Sequence, residues 1–413
     1  MKFIKTLFVH VLSISFILSG CVTTSGGSGG GIDVGPQLSS FFETKREAKI
    51  DSSKPKLDVI IPVFDPGIPE DLEVAKDANV WPELRRAEAN RFAQKLKEAM
   101  DASGAFGAVR VTPDATATGD LYAIGKIRES NGEDVEIEVK VIDVSGREWF
   151  TRYFEHEVTP EFHKDLRNKG KDPYDPVFKD AANRIAVELE SHEDKDLETL
   201  KRITDLRFGA NMNQQAFAQH LKMEDGQASL ISYPSDDDPM LRRTQAIRVR
   251  DQLFVDGLQD TYRSFSEKMD ASYLVWQEQS LQEIAAEAEA SRKATGEAII
   301  GILAIGLAVA AIAAGARSDN YGTSAGATTA GVLAGAAGAH MLGKSFQTSD
   351  ETKVHRDALK ELGESINVSL APQVIAIEKQ TVELSGTAQE QFAQWRGFLK
   401  QIYLEEKTPE KTL

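Results

Sequence analysis

The chain has 413 residues, 41% hydrophobic and 27% charged, which excludes both a disordered chain and a polytopic membrane protein. Its 64 acidic and 48 basic residues give a formal net charge of −16 with no compensating basic cluster, so no nucleic-acid partner is expected. A single cysteine excludes a disulfide framework and cysteine-based zinc or iron–sulfur sites; no metal, nucleotide or other cofactor is expected.

Residues 1–20 have the pattern of an export signal. Lys2 and Lys5 form a basic start, and Leu7 to Leu18 is an apolar run too short to span a bilayer. It ends in Leu18-Ser19-Gly20-Cys21, which resembles the lipobox of bacterial lipoproteins. That resemblance implies cleavage before Cys21, lipidation of Cys21, and passage through the lipoprotein processing and sorting machinery. Val22, not Asp, follows the cysteine, which implies an outer-membrane destination on the periplasmic face. Three acyl chains anchor durably, at about 0.8 kcal/mol per buried methylene. Residues 21–55 open with a Gly/Ser/Thr-rich stretch expected to act as a flexible tether.

Residues 56–158 are expected to form a small α/β sandwich. Leu57 to Phe64 is a buried-strand pattern, and a helix is expected from Pro82, carrying Leu84, Ala87, Phe92, Leu96, Ala99 and Met100 and stopped at Gly104. Val109 to Val111 is a short strand. Asp120–Ile127 and Val135–Ile142 flank Asn131-Gly132, a strong hairpin signal, and the second strand alternates so that one face is buried. Asp143 to Gly146 turns into a last strand at Trp149 to Val158. The segments Val59–Asp65, Glu83–Met100, Asp120–Gly125 and Val139–Asp143 together resemble the small domain of curli secretion-channel lipoproteins, penicillin-binding-protein activator lipoproteins and the N-terminal domain of the Tol-Pal translocation protein. The resemblance covers about a quarter of the chain and implies a non-enzymatic role in envelope assembly or transport.

Residues 159–292 read as helical. Asp175-Pro176 is expected to cap and start a helix bearing Val177, Phe178, Ala181, Ile185 and Leu189, and Leu197, Leu200, Ile203 and Leu206 mark another. A long third helix is expected from Asp238-Pro239, with Asp236-Asp237-Asp238 at its cap. Its stripe of Phe254, Leu258, Tyr262, Phe265, Met269, Tyr273 and Trp276 repeats after eleven residues, a period suited to a straight or slightly right-handed helix pair. It serves either the core of one domain or an oligomer seam.

Residues 293–345 hold two charge-poor Gly/Ala runs. Ala298–Ala316 and Ala325–Gly343 are 19 residues each, about 28 Å as helices, joined by the polar turn Arg317–Gly322. Gly301, Ala304, Ala308, Ala311 and Gly315 make one smooth face; Ala327, Gly331, Gly335 and Gly338 make another. Small faces allow close backbone approach, the way helices associate in lipid. The segment resembles glycine-zipper hairpins of envelope lipoproteins, which implies a membrane or homo-oligomer interface; the other reading is a hairpin buried in its own protein.

Gly338 to Ser345 matches the P-loop expression, but His340, Met341 and Leu342 crowd the loop and no strand precedes it. Gly322-Thr-Ser-Ala-Gly326 matches the nucleophile elbow, again without a strand. His156 and His163 among Glu155, Glu157 and Glu161 lack a spacing that forces metal geometry and read as a solvated surface. Residues 346–413 are expected to form a small α/β appendage packing on the N-terminal sheet. A helix with Val354, Ala358, Leu359, Leu362 and Ile366 ends before Pro372, Val374–Leu384 supplies one or two strands, and Ser385-Gly-Thr387 caps a helix with Phe392, Trp395, Leu399 and Tyr403.

The fold class is therefore α+β: an α/β sandwich, a helical domain, a Gly/Ala-rich helical hairpin and a C-terminal α/β appendage. The expected role is a non-catalytic, oligomeric outer-membrane lipoprotein serving an envelope assembly, export or wall-synthesis system. The alternative is a periplasmic receptor or enzyme with its site between the α/β and helical domains.

Overall fold

A computed structural model describes residues 53–71, 80–297, 353–377 and 380–405, with Ala48 and Asp51. The chain is α+β. Strand β1 (Val59–Pro62) is buried at every position, as its unbroken apolar sequence requires. Helix α1 (Pro82–Ser103) starts with Pro in its first turn and ends at Gly104, whose φ of 69° closes the left-handed cap. Then come β2 (Val109–Thr112), β3 (Leu121–Ser130), β4 (Asp134–Asp143) and β5 (Glu148–Glu157).

The sheet order is β2-β1-β3-β4-β5; β1 runs parallel to both neighbours, and β3, β4 and β5 are antiparallel. Burial alternates strictly along β4, so Val135, Ile137, Val139 and Val141 face the core. The β3–β4 turn is wider than a two-residue one: Asn131 Oδ1 accepts from the backbone N–H of both Glu133 and Asp134.

Helix α2 (Asp175–Glu190) shares the helical layer with α1, where Phe92 and Phe178 meet edge to face at 5.1 Å. Here the structure moves a boundary. Asp175 is the first helical residue rather than the cap, and Asp172 Oδ1 accepts the Tyr174 N–H ahead of it. Helix α3 (Asp194–Met212) is tied to the sheet by Thr204, whose hydroxyl donates to the buried Asp120 at 2.6 Å.

Strands β6 (Leu221–Glu224) and β7 (Gln227–Leu230) form a hairpin the sequence reading did not identify. Its turn, Asp225-Gly226, has positive φ at both residues, as tight two-residue turns demand.

Helix α4 (Pro239–Glu297) has 59 residues, about 88 Å at 1.5 Å per residue. Asp238 Oδ1 caps it by accepting from Met240 and Leu241 N–H. The whole eleven-residue stripe, Phe254 to Trp276, is buried in the chain's own core. Each such side chain contributes about 1.5–3 kcal/mol of burial. The oligomer-seam use is therefore not the one this face serves.

The C-terminal elements are α5 (Lys353–Leu362), the antiparallel pair β8 (Gln373–Ile377) and β9 (Gln380–Leu384), and α6 (Ala388–Glu405). Thr387 and Glu390 cap α6 reciprocally: Thr387 N–H donates to Glu390 Oε2 and Glu390 N–H to Thr387 Oγ1. Two expectations are corrected here. The appendage packs on α1 and α4, not on the sheet face: Arg86 Nε donates to Gly363 O, and Phe254 on α4 stacks on Trp395 at 5.0 Å. Helix α5 stops at Leu362, ten residues before Pro372, because Gly363 must lie directly against the Glu83 backbone. Its buried residue is Leu359, while Val354 is 77% exposed. One continuous apolar core joins the sheet and helices α1 to α6.

A Cβ on Gly363 would fall 1.7 Å from Glu83 O, whereas one on Gly257 of α4 would meet nothing within 4 Å. Thermal unfolding should show Gly363→Ala destabilised by about 1–3 kcal/mol. Gly257→Ala, in an exposed helical position, should instead gain about 0.5–1 kcal/mol.

Candidate functional site

The residues that the sequence nominated, Cys21 and the small faces running from Gly301 to Gly315 and from Ala327 to Gly338, lie outside the described residues, as do the P-loop and nucleophile-elbow matches. Among the described residues no three His, Cys, Asp or Glu gather as a metal set. None of the described helices is long and apolar enough to cross a membrane.

What the structure brings together instead is a buried polar junction between α1 and α4. On α1, Arg85, Glu88, Arg91 and Lys95 follow one another at steps of 3, 3 and 4, one helical stripe. On α4, Ser266, Asp270, Tyr273 and Gln277 do the same at 4, 3 and 4. The loop before α2 inserts Asp172 and Tyr174 between them.

Arg91 stands at the centre, 1% exposed. Its Nη2 donates to Asp172 Oδ2 at 2.7 Å; its Nη1 bonds Asp270 and donates to Ser266 O at 3.2 Å. Its guanidinium lies 4.8 Å from the Tyr273 ring centroid. Asp172 Oδ1 also accepts from Gln277 Nε2 at 3.2 Å, and Lys95 reaches Asp175 at 3.2 Å. Glu88 Oε1 accepts from Ser130 Oγ at 2.5 Å and from Tyr273 OH at 2.7 Å, while Arg85 Nε sits 3.6 Å from Glu88 Oε2. Tyr174 OH accepts the Gly132 N–H at 2.7 Å, which ties the β3–β4 turn into the same junction.

Burial decides the protonation of Glu88, pushing its carboxyl above the usual range against the opposing charge of Arg85. At Asp172 burial also acts upward, but Arg91 and Lys95 together overcome it and hold the group below its usual value. Both tyrosines are raised by burial and stay protonated. Arg91 remains charged, since Asp172 and Asp270 outweigh its desolvation. The arrangement contains no serine or cysteine paired with a histidine base. It clamps two helices and a loop together.

A second polar contact fixes α4 to the sheet edge. Gln259 Oε1 accepts the Val111 N–H and its Nε2 donates to Val111 O, both at 2.9 Å, so one side-chain amide occupies the edge of β2 as a neighbouring strand would. Beside it Arg110 Nε donates to Asp256 at 2.6 Å.

Sequence reading missed this junction because it weighed apolar stripes alone. The available signal was the alternating-charge stripe on α1 together with a polar stripe beside the apolar one on α4. Compared with protein-family models, with curated proteins and with solved structures, the chain matches none at a significant level.

Replacing Arg91 with Met leaves buried Asp172 with only the more distant Lys95, 3.8 Å away, and should cost about 3–5 kcal/mol in denaturant unfolding. The two carboxyls have opposite pH signatures. Glu88, raised above 4.5, contributes stability that is fully present below the unfolded value and lost as pH rises through its folded pKa. Asp172, lowered from 3.8, contributes stability above that value, lost as pH falls through its folded pKa. Glu88→Gln should therefore remove part of the fall in stability as pH rises above 4.5, and Asp172→Asn part of the fall as pH drops below 3.8.

Proposed function

We propose that this chain is a non-catalytic, lipid-anchored component of a cell-envelope assembly, export or wall-synthesis system, held at the periplasmic face of the outer membrane and acting as a homo-oligomer. The observation that carries this reading is the course of α4. Its last fully buried side chain is Leu281, Glu283, Ile284 and Ala285 remain half-buried, and the helical backbone runs on to Glu297. The next residue, Ala298, begins the charge-free Gly/Ala run. The last twelve residues of α4, from Ala286 to Glu297, carry the helical backbone about 18 Å further toward the segment read as a membrane or oligomer contact.

The lipobox supports the same reading from the other end of the sequence, since lipid on Cys21 would supply one contact with the membrane and the hairpin a second. The buried ionisable groups of the body support a structural role over a catalytic one: Arg91 of α1 bonds Asp172 of the loop before α2, and Glu88 of α1 accepts from the hydroxyls of Ser130 on β3 and Tyr273 on α4.

Two substitutions test the two contacts separately. Cys21→Ala should move the protein out of the outer-membrane fraction, and unchanged fractionation removes the lipidation reading. Replacing Gly331 and Gly335 together by Leu forces any close helix contact apart, while Leu raises both helicity and lipid affinity. Crosslinking of the solubilised double variant should then show hairpin-dependent oligomers lost with membrane association kept; a ladder of crosslinked species identical to the parent's removes the zipper reading.

A further inference from the structure

The two edges of the five-stranded sheet are treated differently. The β2 edge is closed by the Gln259 amide and the Arg110–Asp256 pair. Among the described residues the β5 edge has no such cover: no backbone–backbone hydrogen bond joins its outer side to another strand or loop, while the His156 side chain keeps a partner of its own. The strand is ten residues long with six of them exposed, and it contains no proline. Its one irregularity is the extra residue near Trp149, where the register shifts between Val141 and Ile142 of β4. From Phe150 to His156 the strand is regular. Long, regular, open edges are the places where another strand adds.

We propose that β5 pairs antiparallel with the β5 of a second copy of this chain, about a twofold axis at Tyr153, joining the two sheets into one. The argument for this occupant is self-complementarity. Phe150, Arg152, Phe154 and His156 lie opposite the buried Val141, Val139, Ile137 and Val135 of β4 and so share the helix-covered face; Thr151, Tyr153 and Glu155 share the open face. A twofold perpendicular to the sheet keeps each face with itself, so only registers that match like faces are allowed.

Centring on Arg152 sets two guanidinium groups opposite each other. Centring on Phe154 sets Arg152 against His156. Centring on Tyr153 places Arg152 against Phe154, Phe150 against His156, Thr151 against Glu155 and Tyr153 against its own copy. In that register no two like charges meet, and aromatic cross-strand pairs of the kind that stabilise antiparallel ribbons form on both faces. Lys140, one strand inward from Thr151 on the open face, already pairs with Glu148 at 2.9 Å, and the incoming Glu155 would share that cation. Arg152, the single charge on the helix-covered face, guards the free edge against other strands and is accommodated over Phe154 in this register.

The interface lies in the folded body and does not rest on the anchoring reading; chains carrying Cys21→Ala or the Gly331 and Gly335 substitutions keep it. The test uses the full-length chain, solubilised and mildly oxidised. Directly opposed residues of antiparallel strands have Cα atoms about 4.5–5.5 Å apart, within disulfide reach. Tyr153→Cys should give a disulfide dimer. Thr151→Cys and Glu155→Cys should give none alone and a mixed dimer when co-expressed, and the parent chain, whose sole cysteine is Cys21, should give none. Tyr153→Lys, which opposes two ammonium groups, should weaken the dimer roughly tenfold or more in sedimentation while keeping the parent's circular dichroism, its melting temperature falling only where the parent is dimeric. A folded Tyr153→Cys chain that stays monomeric overturns the proposal, as does equal crosslinking at 152 and 154. Exchange-protected β5 amides in the parent, with no crosslink in the Tyr153→Cys chain, overturn it too, in favour of a strand from another protein or from elsewhere in this chain.

Discussion

The buried ion pair of Arg91 with Asp172 is the constraint on which the rest of the architecture turns. A guanidinium that is 1% exposed cannot be left without carboxylates, because the cost of an uncompensated buried charge rivals the stability of a domain. Once α1 places Arg91 there, the loop before α2 must return with Asp172, and α4 must cross at the height of Asp270. Tyr174 and Tyr273 then meet edge to face at 6.3 Å and close the junction over Glu88.

Such a junction adds little net stability over an apolar one, and four of its atoms, Arg85 Nη1, Glu88 Oε2, Arg91 Nε and Gln277 Oε1, lack a hydrogen-bond partner. Its value lies in register. The apolar stripe of α4 repeats after eleven residues, with Phe254, Phe265 and Trp276 in equivalent places, and Leu258 with Met269. Oil alone would tolerate a slip of that length, about 16 Å along the helix. The charge does not repeat: such a slip sets Gln259 or Leu281 against Arg91 where Asp270 now stands. One ionic contact thus selects one position among packings that hydrophobic burial scores alike.

The parts legible in the sequence were those written locally. Helix α1 carries its own start and stop in Pro82 and Gly104, β4 carries strict alternation, and Thr387 and Glu390 announce α6. The polar junction was not legible in this way, because the partners of Arg91 lie 81 and 179 residues away and only the tertiary fold brings them to it. The β6–β7 hairpin had its Asp225-Gly226 turn, but its inward face is only Leu221, Ala228 and Leu230 on two four-residue strands, too short an alternation to stand out. Helix α5 turns Leu359 and Leu362 to the core as its apolar spacing implies, but Val354 in its first turn stays exposed because the helix is too short to hold that end against the body. Cys21 and the Gly/Ala faces rest on sequence alone.

The register lock reaches beyond the core that contains it. Gln259 fixes α4 to the edge of β2, Asp270 and Gln277 fix it to Arg91 and Asp172, and Leu281 is its last buried residue. These contacts span 22 residues, about 33 Å, and a helix held at three heights over that length is free neither to slide nor to roll. Whatever continues from Glu297 therefore starts at a fixed distance from the sheet. For a chain read as meeting a membrane or its own copies through the segment after α4, that geometry matters more than the strength of any single contact. It sets how far the body stands from the contact and which way the free β5 edge points when it gets there.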